Sequence, residues 1–195
     1  MTTRRLSSLF LSATPVELDL GLTWYAAAHE EALGLCDDDG TGLTIDQAAG
    51  IIAALSPRCS WPHNVKRAVQ LVSTGATYGL NNGVDKARRI LAGEDPDTVL
   101  SGNKVRSFYD NIARPATSES VTIDGHAYDA AAGHICSDRE RKALERVGEY
   151  DRIADMYRWV ASREGLAPHV VQATVWCVWR NRYGRYHYQK IQQED

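Results

Sequence analysis

Asp124 and His126 lie in the stretch whose residue types and spacing could do chemistry: Val121-Thr122-Ile123-Asp124-Gly125-His126-Ala127-Tyr128-Asp129. A β-branched run ends at a carboxylate and an Ala-rich segment follows at once. Asp124 therefore falls where an extended segment turns into a helix, and an Asp there can accept hydrogen bonds from the free backbone N–H groups of the first turn. The same fixed carboxylate can stabilise developing positive charge, or orient and deprotonate a water. His126 can contact a ligand, donate to Asp124 or make a structural hydrogen bond. Asp129 and His134 follow, but their spacings match no standard metal motif. Capping or solvated roles are expected for them, and no metal site.

A second stretch suits phosphate. Leu100-Ser101-Gly102-Asn103-Lys104-Val105-Arg106 puts a Gly-bearing turn directly before a helix. Backbone N–H groups at such a turn can hold a DNA phosphate, with Lys104 and Arg106 adding charge. A third stretch, Ala54-Leu55-Ser56-Pro57-Arg58-Cys59-Ser60, breaks one helix and precedes Trp61-Pro62-His63, which starts another. Near the end, Arg180, Arg182, Arg185 and Lys190 alternate with Tyr183, Tyr186 and Tyr188 without an acid. That composition suits either a phosphate-contacting surface with aromatic platforms or a solvated, fraying tail.

Taken in order, these stretches resemble the helix-hairpin-helix (HhH-GPD) DNA glycosylase superfamily. Its members carry a hairpin of the type Leu-Pro-Gly-x-Gly, then a helix, then an extended (Val/Ile)-x-x-Asp-x-His with the catalytic Asp. Here Leu100-Ser101-Gly102 precedes Asp124 at the family's usual separation, with Leu100 24 residues upstream. The 54–60 stretch, with Asn64, Val65 and Ala68, is similar to the family's Leu-Ser-x-Gln-(Thr/Ala) loop, which approaches DNA where a base has left the stack. Lys86, Ala87 and Ile90 match the helix before the hairpin, and the resemblance covers roughly residues 44–134.

The resemblance implies a base rotated out of the DNA stack and an Asp124 carboxylate facing an oxocarbenium-like sugar, as carboxylates do in glycoside cleavage. It implies DNA contacts from Arg58, Gly102, Asn103, Lys104 and Arg106, and a base pocket drawing on Ser56, Trp61, His63 and Gln172. Lys104 stands where the hairpin's second glycine usually lies. Arg106 stands where bifunctional members have a Schiff-base lysine, and an Arg is too basic to act as that amine. The expected enzyme is thus a monofunctional hydrolase for base excision, without cofactor, of a divergent, bacteriophage type.

The elements that must position these residues read as helical almost throughout. Thr14-Pro15 starts a helix reaching about residue 35. The acidic 36–42 segment lacks the spaced ligands of a calcium loop. Thr44-Ile45-Asp46-Gln47 is a capping box opening a helix through residue 55. Further helices are expected over about 61–73, 84–91, 105–112, 127–134 and 150–163. The last, from Pro168 to about residue 183, is apolar nearly all round and therefore central, with Trp176 and Trp179 in the core. Gln172 in that helix needs a partner if buried. Residues 137–149 read as a polar linker, and 121–123 as the one credible strand.

The expected fold is all-α: a single two-lobed glycosylase-like domain with an interlobe cleft. One lobe spans about residues 44–115, with the hairpin at 100–106; the other combines 1–43 with 116–195. The length of 195 residues, 44% hydrophobic and 24% charged content suit an ordinary globular protein. The net charge of −3 does not announce a nucleic-acid binder, so local distribution carries that argument. No apolar run spans a membrane, and the serine-broken start is read as an ordinary segment instead of a signal peptide. Cys36, Cys59, Cys136 and Cys177 form no C-x-x-C pair and are read as reduced, mostly buried thiols of a cytoplasmic protein, bacterial or in a phage-infected host.

Two other readings use the same residues. A base-hypermodifying enzyme on the same fold would act on an activated base substituent, which suits the altered hairpin. A non-catalytic DNA-binding module would use residues 45–55 and 62–73 as a helix-turn-helix, although the 56–61 connection is longer than that motif's tight turn.

Overall fold

In a computed structural model, the protein is described over residues 1–37 and 42–191, with side chains described over 1–36 and 42–183. Eleven α-helices and one 3-10 turn account for the secondary structure among these residues: α1 Thr3–Leu11, α2 Pro15–Asp37, α3 Ile45–Leu55, α4 Trp61–Thr74, α5 Asn81–Leu91, α6 Pro96–Val99, α7 Asn103–Ala113, α8 Gly125–Ala132, α9 Asp138–Arg141, the 3-10 turn Lys142–Glu145, α10 Glu149–Glu164 and α11 Pro168–Ile191. The fold is all-α. No helix among the described residues is long and apolar enough to cross a membrane.

The chain forms two compact units, Met1–Trp24 with Glu119–Asp195, and Tyr25–Ser118. The division falls inside α2, because that helix runs unbroken past Trp24.

The Tyr25–Ser118 unit is organised by α3. The capping box is formed: Thr44 Oγ1 accepts from Gln47 N, and Gln47 Oε1 accepts from Thr44 N. Every residue from Ala48 to Leu55 is buried, so α3 is covered on all sides, by α4, α5, α6 and α7. Small residues let these neighbours approach. A Cβ on Gly83 of α5 would stand 2.5 Å from the Ala54 carbonyl oxygen of α3. At the unit's edge Asp46 Oδ1 accepts from the Tyr109 hydroxyl at 2.9 Å and from Arg114 at 2.8 Å, tying the start of α3 to the end of α7.

The other unit packs α1, α8, α10 and α11 around Leu6, Phe10, Ile123, Tyr157, Val171 and Trp179. As its composition requires, α11 is buried continuously from Val170 to Val175. Glycine again sets a close crossing: a Cβ on Gly21 of α2 would collide with Thr174 Oγ1 and lie 2.7 Å from the Thr174 backbone. The serine-broken start folds as α1, which places Leu6 and Phe10 in this core.

Two expectations are corrected here. Residues 121–123 are extended but pair with no strand among the described residues. The Tyr150 hydroxyl of α10 substitutes for one, donating to Val121 O at 2.8 Å and accepting from Ile123 N at 3.0 Å. The polar linker at 137–149 is folded into α9 and the 3-10 turn. Its signal was a capping box, Ser137 with Glu140, in a stretch whose charge suggested solvent.

Candidate functional site

Asp124 is the N-cap of α8. Its Oδ1 accepts from Ala127 N at 2.8 Å, and its Oδ2 accepts from the Trp176 indole N–H of α11 at 3.1 Å. Both oxygens are thereby fixed, one by local turn geometry and one across the unit. The backbone just before Asp124 is held by Tyr150, with Val121, Thr122 and Ile123 all buried.

Trp176 gathers the rest of the site. Its ring lies 5.8 Å from that of Trp24, and the His126 ring meets it edge-on at 5.9 Å. The Arg180 guanidinium lies over it at 4.9 Å, a cation–π geometry. Trp176, expected in the core, is only half-buried, unlike Trp179 three residues onward. The helix is apolar around its circumference, yet Trp176 meets a carboxylate because α8 begins there. The arrangement is a half-exposed, charge-bearing oxygen pair beside an aromatic surface capped by an arginine.

Of the other expected site residues, Gln172 is buried in α11. The remainder belong to the Tyr25–Ser118 unit. Gly102 is the exposed N-cap of α7 at φ +83, a backbone state that favours glycine, and no side chain caps that helix. The first turn of α7 carries Asn103, Lys104 and Arg106 and no acid. Lys86 Nζ donates to Ser101 Oγ beside the turn, and Arg106 donates to Asp97 O at 3.3 Å.

Arg58 is exposed and adopts φ +54, the left-handed region, which costs a non-glycine residue about 1–3 kcal/mol. Ser56 donates to Ala53 O at 2.9 Å, which closes the end of α3. His63 shares a hydrogen bond with Ser60 Oγ at 2.7 Å, and Trp61 packs edge-on to Phe108. These three therefore hold the loop between α3 and α4 in shape.

Asp129 has a structural role. It is fully buried in α8 and receives Arg141 Nε at 3.1 Å and Arg141 Nη2 at 2.6 Å. His134, Cys136 and Glu140 form a separate group beyond the end of α8, with their ligand-type atoms within 4.8 Å of one another. Burial, then the nearby Asp129, pushes the Cys136 thiol up to about 12. Sequence inspection missed this group, because His-x-Cys-x-x-x-Glu is not a standard ligand spacing. Cys177 is also buried, while Cys36 and Cys59 are half-buried.

The basic, aromatic C-terminal stretch is partly tied down. Arg180 lies on Trp176, and Arg182 donates to Ser12 O and Oγ at 3.0 and 2.8 Å. The side chains of Arg185, Tyr186, Tyr188 and Lys190 lie outside the described residues, as do residues 38–41 of the acidic segment.

The chain belongs to the family described as Family of unknown function (DUF7178), which matches residues 1–183. No curated protein and no solved structure matches the chain.

Proposed function

With family membership bringing no activity, we propose from the site that the protein acts on a nucleobase in DNA, as a helix-hairpin-helix glycosylase-like hydrolase. The observation that carries the reading is Asp124. Its carboxylate is immobilised by the α8 N-terminus and the Trp176 indole, while its half-exposed position leaves lone pairs for a reacting sugar. A preorganised carboxylate of this kind lowers the barrier to a cationic transition state without reorganising when charge develops. Trp176, Trp24 and Arg180 supply a stacking surface of the kind that receives an unstacked base. On this reading the two units are the lobes of the glycosylase-like fold.

Phosphate contacts fall to the uncapped α7 N-terminus at Gly102 and Asn103, with Lys104 and Arg106 adding charge. Arg58, held left-handed at the tip of its loop, is the residue that would enter the duplex. Arg106 is engaged with the Asp97 carbonyl and carries no nucleophilic amine, which supports the monofunctional chemistry.

The test is Asp124→Asn under single-turnover conditions, on single- and double-stranded DNA bearing a panel of damaged and modified bases. The amide keeps the cap but opposes the Trp176 donor with a second donor. Trp176→Phe therefore serves as the control that loses the same hydrogen bond and keeps the charge. Release of free base, with alkali-labile abasic sites, should fall about 10²–10³-fold in Asp124→Asn and far less in Trp176→Phe. Mass spectrometry of the nucleosides separates the outcomes. A changed nucleoside with no free base replaces excision by base modification. DNA affinity untouched by Asp124→Asn, with no chemistry on any base, reduces the protein to a binding module.

A further inference from the structure

Beyond the Asp124 site, and independently of it, the turn after α8 brings three side chains of different ligand chemistry together. His134 Nε2 lies 3.1 Å from Glu140 Oε1 and 3.6 Å from Cys136 Sγ. A tetrahedral zinc ion has bonds of about 2.0–2.1 Å to nitrogen or oxygen and about 2.3 Å to sulfur, which makes its nitrogen–sulfur edge about 3.6 Å and its nitrogen–oxygen edge about 3.4 Å. The two observed separations lie close to those edges with no ion included. An exposed His–Glu pair is an ordinary surface contact. The Cys136 thiol adds a soft donor at the tetrahedral distance from the same imidazole nitrogen, and all three ligand-type atoms lie within 4.8 Å of one another.

The local structure holds the ligands in place. Glu140 Oε2 is occupied by the capping box, accepting from Ser137 N and Ser137 Oγ at 2.8 Å each, so Oε1 is the oxygen turned to His134. Cys136 is anchored through its backbone N–H to the buried Asp129 at 3.3 Å. The same residues line a cavity of about 590 Å³, whose wall also includes Tyr128, Arg139 and Arg146.

We propose that His134 Nε2, Cys136 Sγ and Glu140 Oε1 bind one borderline divalent cation of the zinc class, with the fourth position open to this cavity. The donor set of imidazole, thiolate and one carboxylate oxygen selects zinc, cobalt or a similar ion over magnesium or calcium, which take oxygen ligands. On binding, the thiol proton leaves to solvent and the sulfur bonds to the metal. His134 and Glu140 are exposed, which gives the ion its entry path.

The experiment is titration of the full, tag-free chain with cobalt(II), followed by zinc(II). One equivalent of cobalt should produce a thiolate-to-cobalt charge-transfer band and tetrahedral ligand-field bands, and zinc should abolish both. Cys136→Ser should remove the charge-transfer band, while Cys59→Ser and Cys177→Ser retain it. Glu140→Gln keeps the capping box, since Gln serves at that position. It should nevertheless weaken binding at least as much as losing an outer-sphere partner does, about 10–100-fold. If Cys136→Ser does not fold, the exposed His134→Ala and Glu140→Gln decide. Absence of a charge-transfer band in the wild-type chain overturns the site, as does a band that survives Cys136→Ser. Affinities of His134→Ala and Glu140→Gln within twofold of wild type do so too.

Discussion

The two units solve the same packing problem with different interiors. Around α3, the Tyr25–Ser118 unit buries alanine, isoleucine and leucine, and its largest polar network runs from Asp46, Tyr109 and Arg114 at the edge through Asp110 and Ser118 to the buried Asn111 at one side. The Met1–Trp24 and Glu119–Asp195 unit threads polar groups through its core, namely the Asp129–Arg141 pair, the Tyr150 hydroxyl and the Tyr157 hydroxyl donating to Ala127 O, and sets the half-exposed Asp124–Trp176 bond at its margin. A buried polar group is tolerated only when satisfied, and satisfaction fixes orientation. The helix at the centre of the first unit is held chiefly by shape, the core of the second more by directed bonds, and the fixed carboxylate lies in the second.

Arg141→Met tests that contrast most severely. It leaves the fully buried Asp129 without its guanidinium and should cost about 3–5 kcal/mol in chemical denaturation. A loss below about 1 kcal/mol would mean that the polar interior is incidental. The matched pair Gly21→Ala and Gly83→Ala comes next. Each adds a methyl where helix backbones approach closely, at a cost of about 1–3 kcal/mol. Amide exchange should lose protection around α11 in Gly21→Ala and around α3 and α5 in Gly83→Ala. Identical protection maps would show that the units open as one.

Acid should act mainly on the polar unit, and more weakly. The Thr14 backbone N–H holds the Glu17 carboxyl below its usual range, the Arg152 guanidinium does so for Glu149, and the Ser137 backbone N–H brings Glu140 to about 2. Such groups bind protons more weakly folded than unfolded. Their stabilisation is therefore present above the usual carboxylate range and is lost as pH falls from about 5 towards 2. In the other unit Glu94, beside Arg89, is shifted the same way and is about as exposed as Glu140. Melting temperatures followed from pH 6 to pH 3 should fall, and Glu17→Gln should flatten part of that slope.

Much of this was legible in the sequence where the determinant is local. The Thr44–Gln47 capping box, the cap at Asp124 and the all-round apolar character of α11 each lie within one turn or one helix. What was not legible depends on pairs distant in the chain. Trp176 is 52 residues from Asp124, and within its own helix an indole surrounded by valines reads as core. Arg141 and Glu140 lie in a charged stretch whose composition suggests solvent, yet one enters a buried ion pair and the other faces His134. Residues 121–123 have strand composition, but strand status requires a partner strand, and a tyrosine hydroxyl took its place.

The bonding at Asp124 has a consequence for any library randomised there. Capping α8 needs one acceptor oxygen, and Ser, Thr and Asn each supply it. Receiving the indole as well needs a second, which among these four only Asp has. Sorting such a library for folded protein alone should thus rank Asp first, by a margin of about 1 kcal/mol, the worth of one hydrogen bond. On the proposed function, sorting for base release should return Asp and nothing else. The width between those two distributions measures how far position 124 exceeds what folding asks of it.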